Sequence, residues 1–329
     1  MNLYCTDTIE SSIPNQNFMK NQITSYILMV RPANFGFNPE TAENNFYQQK
    51  DDRSTEEVNA VAGQEFDAFV SLLQEKGVDV LVVEDTALPK KTDAVFPNNW
   101  FSTHHDGKLV LYPMFSPNRR LERRKDIIEI LIKKGFKISE IIDLTFFEQD
   151  NQFLEGTGSL ILDRINKIAY ACRSQRTHHI PLGYFGKLMG FEIVDFDATQ
   201  VINGVASPIY HTNVMMHVGS EIAVVCLDSI PLASEKLKVQ EYLEKTGKKM
   251  IPITSKQKFQ FAGNMLEIQN RKGEKFTVMS QSAFQSLNEV QINIIKRYTE
   301  ILVPKIPTIE KIGGGSVRCM MAEIFLPLV

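Results

Sequence analysis

A unit of strand, strand, helix and strand recurs along this chain about every fifty to sixty residues, and that recurrence restricts its fold more than any other feature. Polar faces and apolar spacing predict five helices, over Thr55 to Lys76, Asn118 to Lys134, His178 to Met189, Ala233 to Thr246 and Ser282 to Glu300. The first is clearest. Ala62, Phe66, Phe69 and Leu73 stack on one face, and Gly77 stands where a helix commonly stops. Short β-rich runs follow the helices ("VDVLVVE", "FEIVDFD", "MIPIT", "ILVPKI"), and others such as "KLVLYPMF", "SLILDR" and "KIAYACRS" precede them. Each unit must bury its apolar face against a neighbour, so five units suggest a closed ring; an open mixed α/β sheet shares the alternation. No low-complexity linker divides the chain, so residues 27–329 read as a single domain behind an extension of residues 1–26.

Composition removes several functional classes. With 329 residues, 43% of them hydrophobic, the chain can bury a large core. A net charge of -3 supplies no field to gather nucleic acid or an anionic membrane, which leaves a small solute or a protein as partner. A homodimer is compatible with it. Arg119, Arg120, Arg123, Arg124 and Lys125 form a basic cluster, but Glu122 and Asp126 interleave with it and a solvated helix face is expected. The four cysteines are far apart and contain no C-x-x-C pair, and no H-E-x-x-H spacing occurs, so neither a zinc site nor a disulfide framework is indicated. No metal or organic cofactor is expected. The first thirty residues lack a targeting pattern, and apolar runs such as Ile222 to Leu227 are too short to span a bilayer, which fits a reducing cytoplasm.

The chemistry centres on "GGGSVRCMMAEIF", Gly313 to Phe325. Cys172 and Cys226 continue apolar strands and read as inert. Cys319 follows Gly313, Gly314 and Gly315, a loop that can approach a ligand closely and aim N–H groups at an anion. A core cysteine after a plain turn fits the same spacing. His104, His105, His178 and His179 lie in polar surroundings where exposure is the default, and His217 falls in a strand. His211, in "SPIYHTNVMMHV", stands where a loop enters that strand. Glu155 precedes the glycine turn of "FLEGTGSLILDR", and "DAVFPNNWFS" places Asn98 and Asn99 after a proline in an apolar setting. Taken singly, a turn carboxylate and paired turn asparagines have ordinary structural explanations.

Together, Glu, His and Cys in that order resemble the guanidine-modifying superfamily of arginine deiminases, dimethylargininases, agmatine deiminases and amidinotransferases. The resemblance covers almost the whole chain and is nearest the citrulline-utilisation hydrolase branch, through "RPANFGFNPETAENNFYQ", "VFPNNWFSTH", "LEGTGSLILDR", "ACRSQRT" and "YHTN". It implies a five-bladed α/β propeller of ββαβ modules, the pentein fold, with the active site at the central channel. It further implies Cys319 as nucleophile, His211 as acid and base, and Glu155 as the carboxylate that orients substrate and histidine. Arg176 matches an arginine that grips a substrate α-carboxylate, with Arg119 or Arg120 as a second. Gly314 and Gly315, with the asparagines, would line the substrate.

Two departures give the resemblance a direction. Where arginine-acting relatives carry aspartate, this chain has Asn99 and Asn213. A guanidinium is a fixed cation with five donors and no acceptor, so burying it calls for carboxylates, each contributing about 1.5 to 3 kcal/mol. A ureido group is neutral and both donates and accepts, which suits an amide. The expected reaction is hydrolysis of citrulline to ornithine, carbon dioxide and ammonia through an S-carbamoyl cysteine. A guanidine hydrolase, an amidinotransferase and a non-catalytic propeller binding a protein or ribosomal surface are the alternatives.

Overall fold

Residues 21–329 are described by the computed structural model; Cys5 and residues 1–20 lie outside the described residues. Five three-stranded sheets form the blades of an α/β propeller. In four of them an innermost strand pairs antiparallel with a middle strand, and a helix leads to an outer strand parallel to the middle one. These are Phe101–Thr103, Lys108–Leu111 and Glu140–Asp143; Ile161–Asp163, Ile168–Arg173 and Glu192–Asp197; Met216–Val218, Ile222–Val225 and Lys249–Pro252; and Leu266–Gln269, Lys275–Val278 and Glu300–Leu302. A parallel return needs a crossover, which is why each unit contains its helix.

The first blade is built from both ends of the described chain. Tyr26–Arg31 pairs parallel with Asp79–Glu84, and its antiparallel inner partner is Ala322–Glu323, in register Ile27 to Glu323 and Leu28 to Ala322. Thr103 fastens this closure to the second blade, because its Oγ1 donates to Glu323 O at 2.9 Å and accepts from Phe325 N at 2.8 Å. Residues before Ile27 also belong to the packed body: the Gln22 amide donates to Leu162 O and Val218 O, joining two further blades.

Local sequence explains the elements. Ser54 caps Thr55–Glu75 in a reciprocal capping box with Glu57, and the helix buries Val58, Ala62, Phe66, Phe69 and Leu73 against Ile27 and Met29 of the first sheet. Each such side chain contributes roughly 1.5 to 3 kcal/mol. His179–Met189 stops at Gly190, which takes the left-handed conformation, and Ala233–Lys245 runs as expected.

Two expected helices are divided. The span from Asn118 to Lys134 is a 3-10 turn over Pro117–Glu122 and a helix over Lys125–Lys133, because Arg119 and Glu122 turn inward as a buried pair. The span from Ser282 to Glu300 becomes Gln281–Ser286 and Glu289–Lys296, since Asn288 restarts the chain with its own capping box to Gln291. The basic cluster is therefore no solvated face: Arg119 is buried, and Arg123 and Arg124 pair with Glu148, Asp85 and Asp126. A hairpin, Thr199–Ile202 with Val205–Pro208, stands outside the blades and was not foreseen. His104 is buried rather than exposed, with its Nε2 2.9 Å from Ser102 Oγ.

Cys172, Cys226 and Cys319 are free and buried. Among the described residues no helix is long and apolar enough to cross a membrane. Thr103→Val keeps the shape of that side chain but strands the Glu323 carbonyl and the Phe325 N–H. Denaturant unfolding is expected to show a loss of roughly 1 to 3 kcal/mol.

Candidate active site

The turn entering each innermost strand delivers one polar or reactive side chain. Asn99 ends the 3-10 turn Pro97–Asn99 before Phe101–Thr103, and Glu155 caps the helical turn Gly156–Ser159 before Ile161–Asp163. His211 caps Thr212–Val214 before Met216–Val218, and Cys319 lies in the turn Val317–Met320 before Ala322–Glu323. Asn264, which the sequence reading did not single out, occupies the same place before Leu266–Gln269. Short strands pointing inward thus bring residues from five distant segments to one end of the channel.

Glu155 is the hub. Its Oε2 accepts from His211 Nε2 at 2.7 Å, its Oε1 accepts from Phe115 N at 2.9 Å, and Arg176 Nη1 lies 3.5 Å from Oε2. Burial opposes its charge, but Arg176, the His211 hydrogen bond and Arg119 outweigh that and hold it well below the usual carboxylate range. An ionised carboxylate only accepts, so Nε2 of His211 carries the proton and Nδ1 is a free base. Burial pulls His211 down to about 4 despite the opposing pull of Glu155. Gly158 is required where these groups meet: a Cβ there would stand 2.4 Å from Asn99 Nδ2 and 2.7 Å from His211 Nδ1.

Each amide at the site has one end already engaged. Arg119, held by Glu122 at 2.9 and 2.8 Å, donates to Asn99 Oδ1 at 2.8 Å, which leaves Asn99 Nδ2 without a partner. Asn213 Nδ2 donates to Cys319 Sγ at 3.4 Å, which leaves Asn213 Oδ1 free. A donor and an acceptor, both buried, therefore remain. Asp93, also missed, keeps a third unpartnered atom, Oδ1. It is the first residue of "DAVFPNNWFS", and its charge beside an arginine-rich segment was the available signal.

Cys319, His211, Asn99, Arg119, Arg176 and Asp93 line one cavity of about 20 Å³, room for a single water. The segment from Asn38 to Gln48 closes it. Asn44 Oδ1 and Thr41 O accept from Arg176 at 2.8 and 2.9 Å, Asn38 and Thr41 donate to Asp93 Oδ2 at 2.8 and 3.3 Å, and Asn45 donates to Gly314 O at 3.2 Å.

Other expected residues are placed differently. Gly314 and Gly315 line the cavity, but the Gly314 N–H is spent on Glu310 O at 3.0 Å, so it aims at no anion. The triplet instead makes room: Cβ atoms on Gly313 and Gly315 would come within 2.8 and 2.9 Å of the Phe96 ring, and Gly314 has φ +63°. Asn98 turns toward Thr157 Oγ1 at 3.3 Å and does not line the cavity. Arg120 points away, to Glu148 and the Met114 carbonyl, leaving Arg119 as the second arginine.

A cysteine, histidine and glutamate converging at the centre of five α/β blades define the guanidine-modifying pentein class. Residues 31–326 match the family described as N,N dimethylarginine dimethylhydrolase, eukaryotic, and the chain belongs to that family. No curated protein matches the sequence. Among solved structures, the chain is similar to apo ArgZ, an arginine dihydrolase from the ornithine-ammonia cycle in cyanobacteria, with 15% identity and a TM-score of 0.65. That match covers 92% of this chain and 40% of ArgZ. The substrate-bound N-terminal domain of ArgZ matches with 16% identity and a TM-score of 0.67, over 92% of this chain and 99% of that one. A dimethylarginine dimethylhydrolase from Pseudomonas aeruginosa, complexed with citrulline, gives 14% identity and 0.63, covering 92% and 100%. At these identities the likeness is one of fold.

The lowered pKa of His211 belongs to the folded state, so as pH falls through about 6.5 the unfolded chain takes up the proton first. The stability it supports is complete above that pH and lost on approach to about 4. Unfolding free energies of wild type and His211→Asn are accordingly expected to converge between pH 7 and pH 4.5.

Proposed function

We propose that this protein hydrolyses a ureido amino acid, citrulline, to ornithine, carbon dioxide and ammonia, with Cys319 as nucleophile. One observation carries the choice of a neutral substrate: the unpartnered Asn99 Nδ2 and Asn213 Oδ1 beside the Cys319 sulfur. A ureido carbonyl accepts from the first, and its terminal NH2 donates to the second. A guanidinium has no acceptor to offer Asn99 Nδ2 and would enter beside two arginines. The ends of an α-amino acid match the rest of the cavity, the carboxylate replacing Asn44 on Arg176 and the ammonium taking Asp93 Oδ1. Since 20 Å³ admits no such ligand, the segment from Asn38 to Gln48 must open first, and the substrate then takes over its hydrogen bonds.

In the reaction, His211 Nδ1 takes the thiol proton as Cys319 adds to the ureido carbon. Asn99 Nδ2 donates to the oxyanion that forms. The C–N bond to the δ-nitrogen breaks, and His211 returns the proton to that nitrogen, releasing ornithine. Water enters, gives a proton to His211 Nδ1 and attacks the S-carbamoyl carbon. The sulfur leaves and is reprotonated, and carbamate decomposes to carbon dioxide and ammonia. Glu155 keeps its charge throughout, fixing the ring and steadying the imidazolium.

A second reading, hydrolysis of arginine or a methylated arginine, is favoured by the family match and by the carboxylates Asp93 and Glu155 in the cavity. Steady-state assays with each substrate decide between them. Citrulline turnover that yields ornithine and ammonia and disappears in Cys319→Ala is expected; turnover of guanidines alone would sink the ureido reading. Asn99→Asp combined with Asn213→Asp should lower kcat/KM for citrulline by roughly 10- to 100-fold, two hydrogen bonds of about 1 kcal/mol or more being lost.

A further inference from the structure

We propose that Asn264 is a catalytic residue of this centre, a neutral donor that stabilises the Cys319 thiolate. The inference rests on Cys319 being the nucleophile but not on the identity of the substrate.

The placement is the first argument. Four blades deliver Asn99, Glu155, His211 and Cys319 from the turn that enters the innermost strand, and the remaining blade delivers Asn264 from the equivalent turn. The backbone there is shaped for close approach. Phe261 has φ +60°, and a Cβ on Gly263 would lie 2.5 Å from Val214 O and 2.7 Å from Met215 C. Only glycine lets this turn press against the segment that carries Asn213.

The bonding is the second argument. Asn264 Oδ1 accepts from Arg318 N at 3.0 Å, and Nδ2 donates to Asn213 O at 3.0 Å and to Cys319 Sγ at 3.4 Å. The acceptor fixes which end of the amide faces the sulfur, because a backbone N–H can only donate. Both N–H groups of Asn264 are thereby committed, one to brace the Asn213 backbone and one to the sulfur. Asn213 supplies a second N–H to the same atom and keeps its oxygen for substrate.

The charge inventory is the third. The two arginines of the cavity are engaged elsewhere, Arg119 with Glu122 and Asn99, Arg176 with Asn44 and Glu155. Arg318, next to Cys319 in sequence, directs its guanidinium to Met321 O and Glu323. Once His211 has taken the thiol proton, the anion left on sulfur meets two amide donors. A thiolate is favoured by hydrogen bonds to its charged form, so removing one should raise the pH needed to generate it.

The test is the pH profile of Cys319 alkylation by iodoacetamide, in a background where the remaining cysteines are mapped by mass spectrometry. Asn264→Asp preserves the shape and the bond from Arg318 N but replaces the donor with a carboxylate; Asn264→Ser shortens the side chain. Both profiles are expected to move to higher pH, the aspartate variant further, with alkylation at pH 7 about tenfold slower or more. A profile unchanged in either folded variant would overturn the proposal. Should both variants fail to fold, wild type labelled with 15N-asparagine gives the answer. Two side-chain amide pairs should shift with pH in wild type and stay fixed in Cys319→Ser; one pair or none rules Asn264 out. None of these readouts needs substrate, so an absence of citrulline turnover leaves them interpretable.

Discussion

Glu155 must remain ionised with no atom exposed to water, and the arrangement of the site follows from that requirement. A buried carboxylate is tolerable only when its lone pairs are filled and a cation is close. Phe115 N, His211 and Arg176 meet these needs, and each commitment restricts another part of the chain. The bond to His211 sets the tautomer and turns Nδ1 toward the cavity. The demand on Arg176 places a guanidinium where an incoming carboxylate can meet it, and until then Asn44 and Thr41 occupy it. One charge thereby links the reacting ring, the substrate anchor and the covering segment.

Set within this ionic frame, the uncharged groups do the discriminating. Arg119 is bound so fully to Glu122 that its role at the cavity is to orient Asn99, exposing nitrogen rather than oxygen. The sulfur orients Asn213 in the opposite sense. Two amides of identical chemistry thus present complementary ends, a selectivity that an amide acquires only from neighbours that fix its rotation.

How much of this could be read in the sequence follows from the range of the interactions concerned. The helix over Thr55–Glu75 was legible because its cap, its apolar stripe and the glycine beyond it are all local. The residues Cys319, His211 and Glu155 stood out because turns with glycines or strand entrances mark where working side chains are carried. What escaped depends on distant partners. The break after Glu122 arises from an ion pair turned inward, and the burial of His104 from its place between blades. The choice of Arg119 over Arg120 depends on which of two adjacent side chains faces the channel, and no local pattern states that. Asn264 lay in "FAGNMLEI", an asparagine after glycine that reads as an ordinary turn until the fifth blade is set beside the other four.

The first sheet is finished by Ala322–Glu323, directly after the turn bearing Cys319, in register with strand residues nearly three hundred positions earlier. Ring closure and assembly of the reactive centre are therefore one event. During synthesis, Ile27 and Leu28 wait with an open edge while the intervening blades emerge, and loop-closure entropy makes so distant a pairing slow. A chain that has made four blades and part of the first carries histidine and glutamate already in place but no sulfur between them. Such a nascent intermediate has no nucleophile with which to attack a metabolite, so chemistry begins only when the architecture is complete.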